Sequence, residues 1–216
     1  MELADAGDLL QRVNAHKRQG TMFQETDLWR MFGEVAKGLK ALHGLQIMHR
    51  DLKVNPTQSA NVFLFKDGSV KLGDMNVSKV AKLGLVYTQT GTPYYASPEV
   101  WRDQPYDLKS DIWSLGCVIY EAAALQPPFR ASDMNALYRK VMRGDYPPLP
   151  VIYSQDLTYL IKAMLQVSPP LRPNCEQLLA LPVVQKHVSA DLNAYESPDL
   201  LGTIKLPRNL TSWMTV

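Results

Sequence analysis

Between Glu25 and about His43 the apolar residues are Leu28, Met31, Phe32, Val35, Leu39 and Leu42. Steps of three and four residues, with Met31 and Phe32 adjacent, lay them along one face of a helix. Thr26 or a neighbour can cap its start, and Gly44 can end it. A loop from Met48 to Ala60 follows, with Asn55-Pro56 as a turn signal. Two short apolar runs, Asn61–Phe65 and Ser69–Leu72, flank Lys66-Asp67-Gly68 and predict a β-hairpin. Gly73 to about Pro98 is a long connection rich in Gly, Thr and Tyr, and connections of that length inside a compact domain usually carry function. The stretch from Ser110 to Glu121 is apolar nearly all round and predicts a buried central helix. Further helices are predicted near residues 133–143, 155–166 and 174–181, separated by Pro-containing loops. From residue 188 to 216 the periodicity is lost. The pattern therefore predicts a mainly α fold with a small β hairpin, one domain over 1–187 and a tail over 188–216.

Composition narrows the class. The 216 residues are 46% hydrophobic and 20% charged, a globular balance with enough chain to bury a core. Lys and Arg number 23 against 21 Asp and Glu, so there is no electrostatic footprint for nucleic acid or for an acidic membrane surface. The longest apolar run, Leu115 to Leu125, is too short to span a bilayer and is broken by Glu121. Neither a signal peptide nor an internal repeat is visible. Cys117 and Cys175 fit no metal-ligand spacing and are expected to be reduced, buried thiols, which makes a reducing, cytoplasmic setting the default.

Candidate chemistry concentrates where the pattern is least regular. His49-Arg50-Asp51-Leu52-Lys53 lies between a helix and a strand, followed in order by Asn61, Gly73-Asp74-Met75-Asn76, Gly91-Thr92-Pro93-Tyr94-Tyr95, Ser97-Pro98-Glu99 and Asp111-Ile112-Trp113-Ser114-Leu115-Gly116. This ordered set resembles the signature of the eukaryotic protein kinases. Ser59-Ala-Asn-Val-Phe-Leu64, Lys71-Leu-Gly-Asp74, Val77-Ser-Lys-Val80 and Gly91-Thr-Pro-Tyr-Tyr95 are similar to the NIMA-related serine/threonine kinases, as is the tail segment Leu200 to Leu210.

The resemblance implies a protein-kinase-like C-terminal lobe that moves a phosphoryl group from ATP, with Mg2+, to a Ser or Thr of a protein substrate. Asp51 would orient the acceptor hydroxyl, and Lys53 would neutralise charge on the transferred group. Asn61 and Asp74 would ligate Mg2+ through oxygen, the donor a hard cation prefers. Thr92 would pack beside Asp51 and Lys53. Glu2 and Ala4 in the hinge and Phe63 in the floor would touch adenine. Arg50 would hold the activation loop through a phosphate, with Thr88 the first acceptor and Thr90 the second. Glu99 and Arg172 would form a buried ion pair, and Asp111 would cap the catalytic-loop backbone. Regulatory protein partners and an association with cytoskeleton, centrosome or cilium also come only from the resemblance.

Three features differ from the family pattern. Met1 matches the end of the last small-lobe strand and Glu2–Asp8 the hinge, and there is no G-x-G-x-x-G. The chain is therefore expected to hold the hinge and large lobe, and to transfer phosphate weakly or not at all by itself. The alternative is a non-catalytic lobe that binds partners or regulates. Val54 to Gln58 lengthen the catalytic loop by five residues. An in-frame message error and a surface bulge that leaves Asp51 and Asn61 in place both account for them. Asp74-Met75-Asn76 stands where the family usually has Asp-Phe-Gly. This change is mild, since Met is a flexible apolar filler and Asn tolerates positive φ.

Overall fold

The computed structural model describes residues 4–54, 61–73 and 93–192, with side chains as far as Val188. In chain order the elements are α1 (Leu9–Gln19), α2 (Glu25–Gly44), β1 (Val62–Leu64), β2 (Val70–Leu72), α3 (Pro98–Trp101), α4 (Lys109–Ala124), α5 (Met134–Arg143), α6 (Gln155–Met164), a 3-10 turn (Pro169–Leu171), α7 (Cys175–Leu179) and α8 (Pro182–Leu192). Among the described residues the architecture is mainly helical with one antiparallel hairpin, the class that the resemblance implies.

The predicted stripe of α2 is the buried stripe. Leu28, Phe32, Ala36 and Leu39 are fully enclosed, and α2 meets α4, α7, α8 and β2. Its start differs from expectation: Gln24 sits at the cap without a side-chain bond. Glu25 instead accepts from the Ser154 amide at 2.8 Å, the Ser154 hydroxyl at 2.5 Å and the Trp29 indole at 3.0 Å. The helix end is thereby tied to the start of α6 rather than capped locally.

Helix α4 is the beam of the molecule. Ile112, Trp113, Leu115, Cys117, Val118 and Ile119 have no exposed surface. Burying each large apolar side chain contributes roughly 1.5–3 kcal/mol. Gly116 lets α6 approach closely: a Cβ there would lie 2.9 Å from Met164 Cβ and Leu165 Cδ2.

The hairpin pairs Val62 with Leu72 and Leu64 with Val70. The segment before α1 runs along its outer edge. Leu64 N–H donates to Gly7 O at 2.9 Å and Ala6 N–H to Leu64 O at 3.2 Å. At the other end of the chain, α8 continues to Leu192, across the residue-188 boundary drawn from lost periodicity. Val188 is buried against Gly33 of α2, and His187 stacks on Trp29 at 4.4 Å. Helix α8 therefore belongs to the packed body through α2.

Candidate active site

The Met48–Val54 loop is held from beneath by one carboxylate. Asp111, in the first turn of α4, is 3% exposed. Its Oδ2 accepts the His49 N–H and its Oδ1 the Arg50 N–H, each at 2.9 Å. Oδ2 also lies 2.9 Å from His43 Nε2 at the end of α2. Charge-assisted bonds of this kind are about twice as strong as neutral ones. They hold Arg50 at φ 66°, a left-handed conformation costing a non-glycine residue roughly 1–2 kcal/mol. Strain of that sort persists where surrounding bonds over-determine it.

Past that strained residue the loop presents its chemistry. The Lys53 ammonium lies 2.8 Å from Asp51 Oδ1 and 2.9 Å from Oδ2. Both side chains are partly open, 13% for Lys53 and 26% for Asp51. Leu52 and Val54 between and beyond them are buried, so alternation along the loop anchors it and turns the charged pair outward.

Asn61, at the start of the hairpin, is fully buried. Its amide Nδ2–H donates to the Asp51 carbonyl, joining two residues ten apart in sequence. That bond fixes the amide orientation and leaves Asn61 Oδ1 buried without a hydrogen-bond partner among the described residues. A buried unpaired oxygen is costly, and a cation is one way to satisfy it. No group of three His, Cys, Asp or Glu side chains able to hold a metal occurs among the described residues.

Phe63 is half-buried on β1 and its ring lies over Gly73, where a Cβ would come within 2.4 Å of Cε2. Ala4 stands near the same edge, its carbonyl accepting the Gly7 N–H at 3.2 Å. Glu2, Asp74, Thr88, Thr90 and Thr92 lie outside the described residues, as do 55–58 of the lengthened loop.

On the far side of the α4 N-terminus, Glu99 faces Arg172 in a two-pronged pair at 2.7 and 2.6 Å. Ser110 Oγ donates to Glu99 at 2.7 Å, and Arg172 also donates to the carbonyls of Lys109, Gln166 and Val167. Burial alone would raise the Glu99 carboxyl. The Arg172 hydrogen bonds and charge, with Ser110, outweigh it and hold the group below its ordinary value.

Sequence reasoning passed over three participants. Burial pushes the Glu121 carboxyl up to about 7, against the hydrogen bond from Tyr95 at 2.5 Å and the charges of Lys17 and Arg130. Tyr95 is raised by burial and by the Glu121 charge, so this pair anchors the segment before α3 to α4 as a neutral donor on a carboxyl. The interruption of the apolar run by Glu121 was the available signal. His43, the third donor on Asp111, carried none beyond its place at a helix end. A separate open groove of about 600 Å³, lined among others by Arg102, Arg143, Lys162 and Leu171, shares no residue with the Asp51 loop.

Comparison with known proteins bears on the whole of this arrangement. The protein kinase domain family matches residues 1–184. The chain is 38% identical over 218 residues to serine/threonine-protein kinase Nek3 of Mus musculus, covering 97% of this chain and 41% of that protein. It is 39% identical to Nek1 of Mus musculus, covering 94% of this chain and 16% of that one, and 39% identical to Nek5 of Homo sapiens, covering 86% and 26%. The chain thus spans less than half the length of these relatives. With the family match running from the first residue through α7 and into α8, the chain belongs to the protein kinase family.

Proposed function

We propose that the Asp51 loop is the phosphoryl-transfer centre of a serine/threonine protein kinase that uses ATP and Mg2+. The observation that carries this proposal is the Asn61 amide on the Asp51 carbonyl, beside an Asp51–Lys53 pair that remains partly open. Mg2+, which Asn61 and Asp74 would hold, would supply charge neutralisation to the phosphates. The chain's own residues do the rest. Asp51 accepts the hydrogen bond of the incoming hydroxyl and takes up its proton. Lys53, held at 2.8 Å from Asp51, places positive charge beside that hydroxyl. Asn61 offers Oδ1, its amide direction fixed by the bond to Asp51, and Asp74 would supply the second oxygen ligand. Ala4, Glu2 and Phe63 would border adenine, and Thr92 would pack beside the pair. Thr88 and Thr90 would carry regulatory phosphate toward Arg50.

The Asn61 amide reaches the Asp51 carbonyl with the five additional loop residues present, so the two site residues stand together in the lengthened loop. The family membership supports protein substrates with Ser or Thr acceptors, and the relatives' names support the serine/threonine class. A cytoplasmic location, with recruitment to cytoskeleton, centrosome or cilium by regulatory partners, is part of the same proposal.

The test combines phosphoryl transfer and binding on the full chain. MgATP and a generic phosphoacceptor protein should give phosphoserine or phosphothreonine, and Asp51→Asn should lower the rate by about 10²–10⁴-fold. Transfer that survives Asp51→Asn overturns the assignment of Asp51. Absence of both transfer and MgATP binding by calorimetry instead supports the second possibility, a non-catalytic lobe.

A further inference from the structure

The carboxylate that holds the catalytic loop is itself reached by a thiol. Cys175 opens α7, 132 residues from His43 in sequence, and its Sγ lies 3.6 Å from His43 Nδ1. The thiol is 3% exposed and the imidazole 9%. On the other side of the ring, Nε2 stands 2.9 Å from Asp111 Oδ2. An ionised carboxylate can only accept, so Nε2 carries the proton of that bond. In the neutral ring Nδ1 is then a lone pair, and a partner for it must donate. Burial, and next the Asp111 charge, push the Cys175 thiol up to about 12, against the pull of the Lys40 and Lys109 charges. The sulfur therefore keeps its proton and is the donor.

With a neutral His43 ring the two contacts run in one direction: Cys175 S–H to His43 Nδ1, then His43 Nε2–H to Asp111 Oδ2. Asp111 in turn receives the amides of His49 and Arg50. We propose that Cys175 is a positioning residue for the catalytic loop: its S–H locks the ring that orients Asp111, and Asp111 sets the backbone from which Asp51 projects. The catalytic consequence rests on the function proposed above for Asp51, while the hydrogen-bond chain stands without it. An apolar residue at 175 would leave a buried ring nitrogen unpaired, which is where most of the cost of a broken buried bond arises.

The experiment uses the full chain, 15N-labelled, as wild type, Cys175→Ser and Cys175→Val. In wild type and Cys175→Ser, His43 should show the Nε2–H tautomer with a hydrogen-bonded Nδ1 resonance. In Cys175→Val the Nδ1 resonance should move to that of an unbonded nitrogen. Hydrogen exchange at the His49 and Arg50 amides should rise about ten-fold relative to Val118 and Ile119, and Cys175→Ser should restore protection. An unchanged Nδ1 resonance in Cys175→Val overturns the proposal. So does exchange that rises equally at Val118 and Ile119, since that marks general loosening. If Cys175→Val does not fold, the infrared S–H band that Cys175→Ser removes decides. A band shifted down from that of a free thiol supports the bond, and an unshifted band overturns it. No readout here requires phosphoryl transfer, so failure of this proposal and failure of the kinase assignment are separable.

Discussion

Two carboxylate–cation pairs flank the start of α4, and they are built for different ends. Glu99–Arg172 is sealed: the guanidinium side chain has no exposure, the carboxylate side chain 5%, and three carbonyls and a hydroxyl fill the remaining valences. Asp51–Lys53 is partly open, on a loop whose backbone is held by Asp111 and Asn61 rather than by its own charges. The sealed pair has no capacity left for a ligand. The open pair keeps part of its surface exposed, while Asp111 and Asn61 hold the backbone around it. In the function proposed for this loop, the side chains that meet substrate are therefore not the ones that hold the backbone in place.

The largest effect that would break this contrast is at the sealed pair. Arg172→Met leaves Glu99 charged and alone, and should cost about 3–5 kcal/mol in urea unfolding. The double variant Arg172→Met with Glu99→Leu should recover much of that, since paired replacement of a buried ion pair by apolar groups is often close to neutral. A loss below about 1 kcal/mol for the single variant would make the two pairs equivalent.

Next comes a pH effect at Glu121. Its folded pKa is raised from 4.5 to about 7, so the folded state binds the extra proton between those values. Stability from this group is fully present below about 4.5 and is lost as pH rises through about 7, at up to about 1.4 kcal/mol per pH unit. Glu121→Gln should flatten that slope in unfolding measured from pH 5 to 8. A wild-type slope unaltered by the substitution would contradict it.

The smallest effect on stability should come from the open pair. Lys53→Met should change the unfolding free energy by less than about 1 kcal/mol, as partly exposed pairs do. Phosphoryl transfer should nevertheless fall by roughly 10²-fold or more, the scale for removing one charge-stabilising donor. A stability loss comparable to that of Arg172→Met would place Lys53 in the scaffold rather than the site.

Much of this contrast was legible in sequence, for particular reasons. The α2 stripe predicted an end near His43 and the helix closes at Gly44, because a one-sided face must be buried along its whole length. Met134–Arg143 falls within the predicted 133–143, bounded by Asp133 as N-cap and Gly144 at φ 63°. The helix predicted over 155–166 ends at Met164, since Leu165 already leaves helical geometry to pack beneath Gly116. Helix α1 buries only Leu9 and Val13, and α3 is four residues long, so neither has a periodicity to detect. Helix α8 is held by Trp29 stacked on His187 and by Val188 against Gly33, contacts that cross the whole chain.

The order of Asp51, Lys53, Asn61, Glu99 and Asp111 along the chain, and the helix-and-hairpin pattern around them, were set by residue types and spacing alone. Local sequence determines these because turn chemistry and amphipathic period act over a few residues. Which groups became sealed scaffold and which stayed partly open was decided by tertiary structure. Burial seals Glu99 against a residue 73 positions away and brings Cys175 to His43 across 132. Desolvation and long-range hydrogen bonding act between segments that only the folded chain brings together.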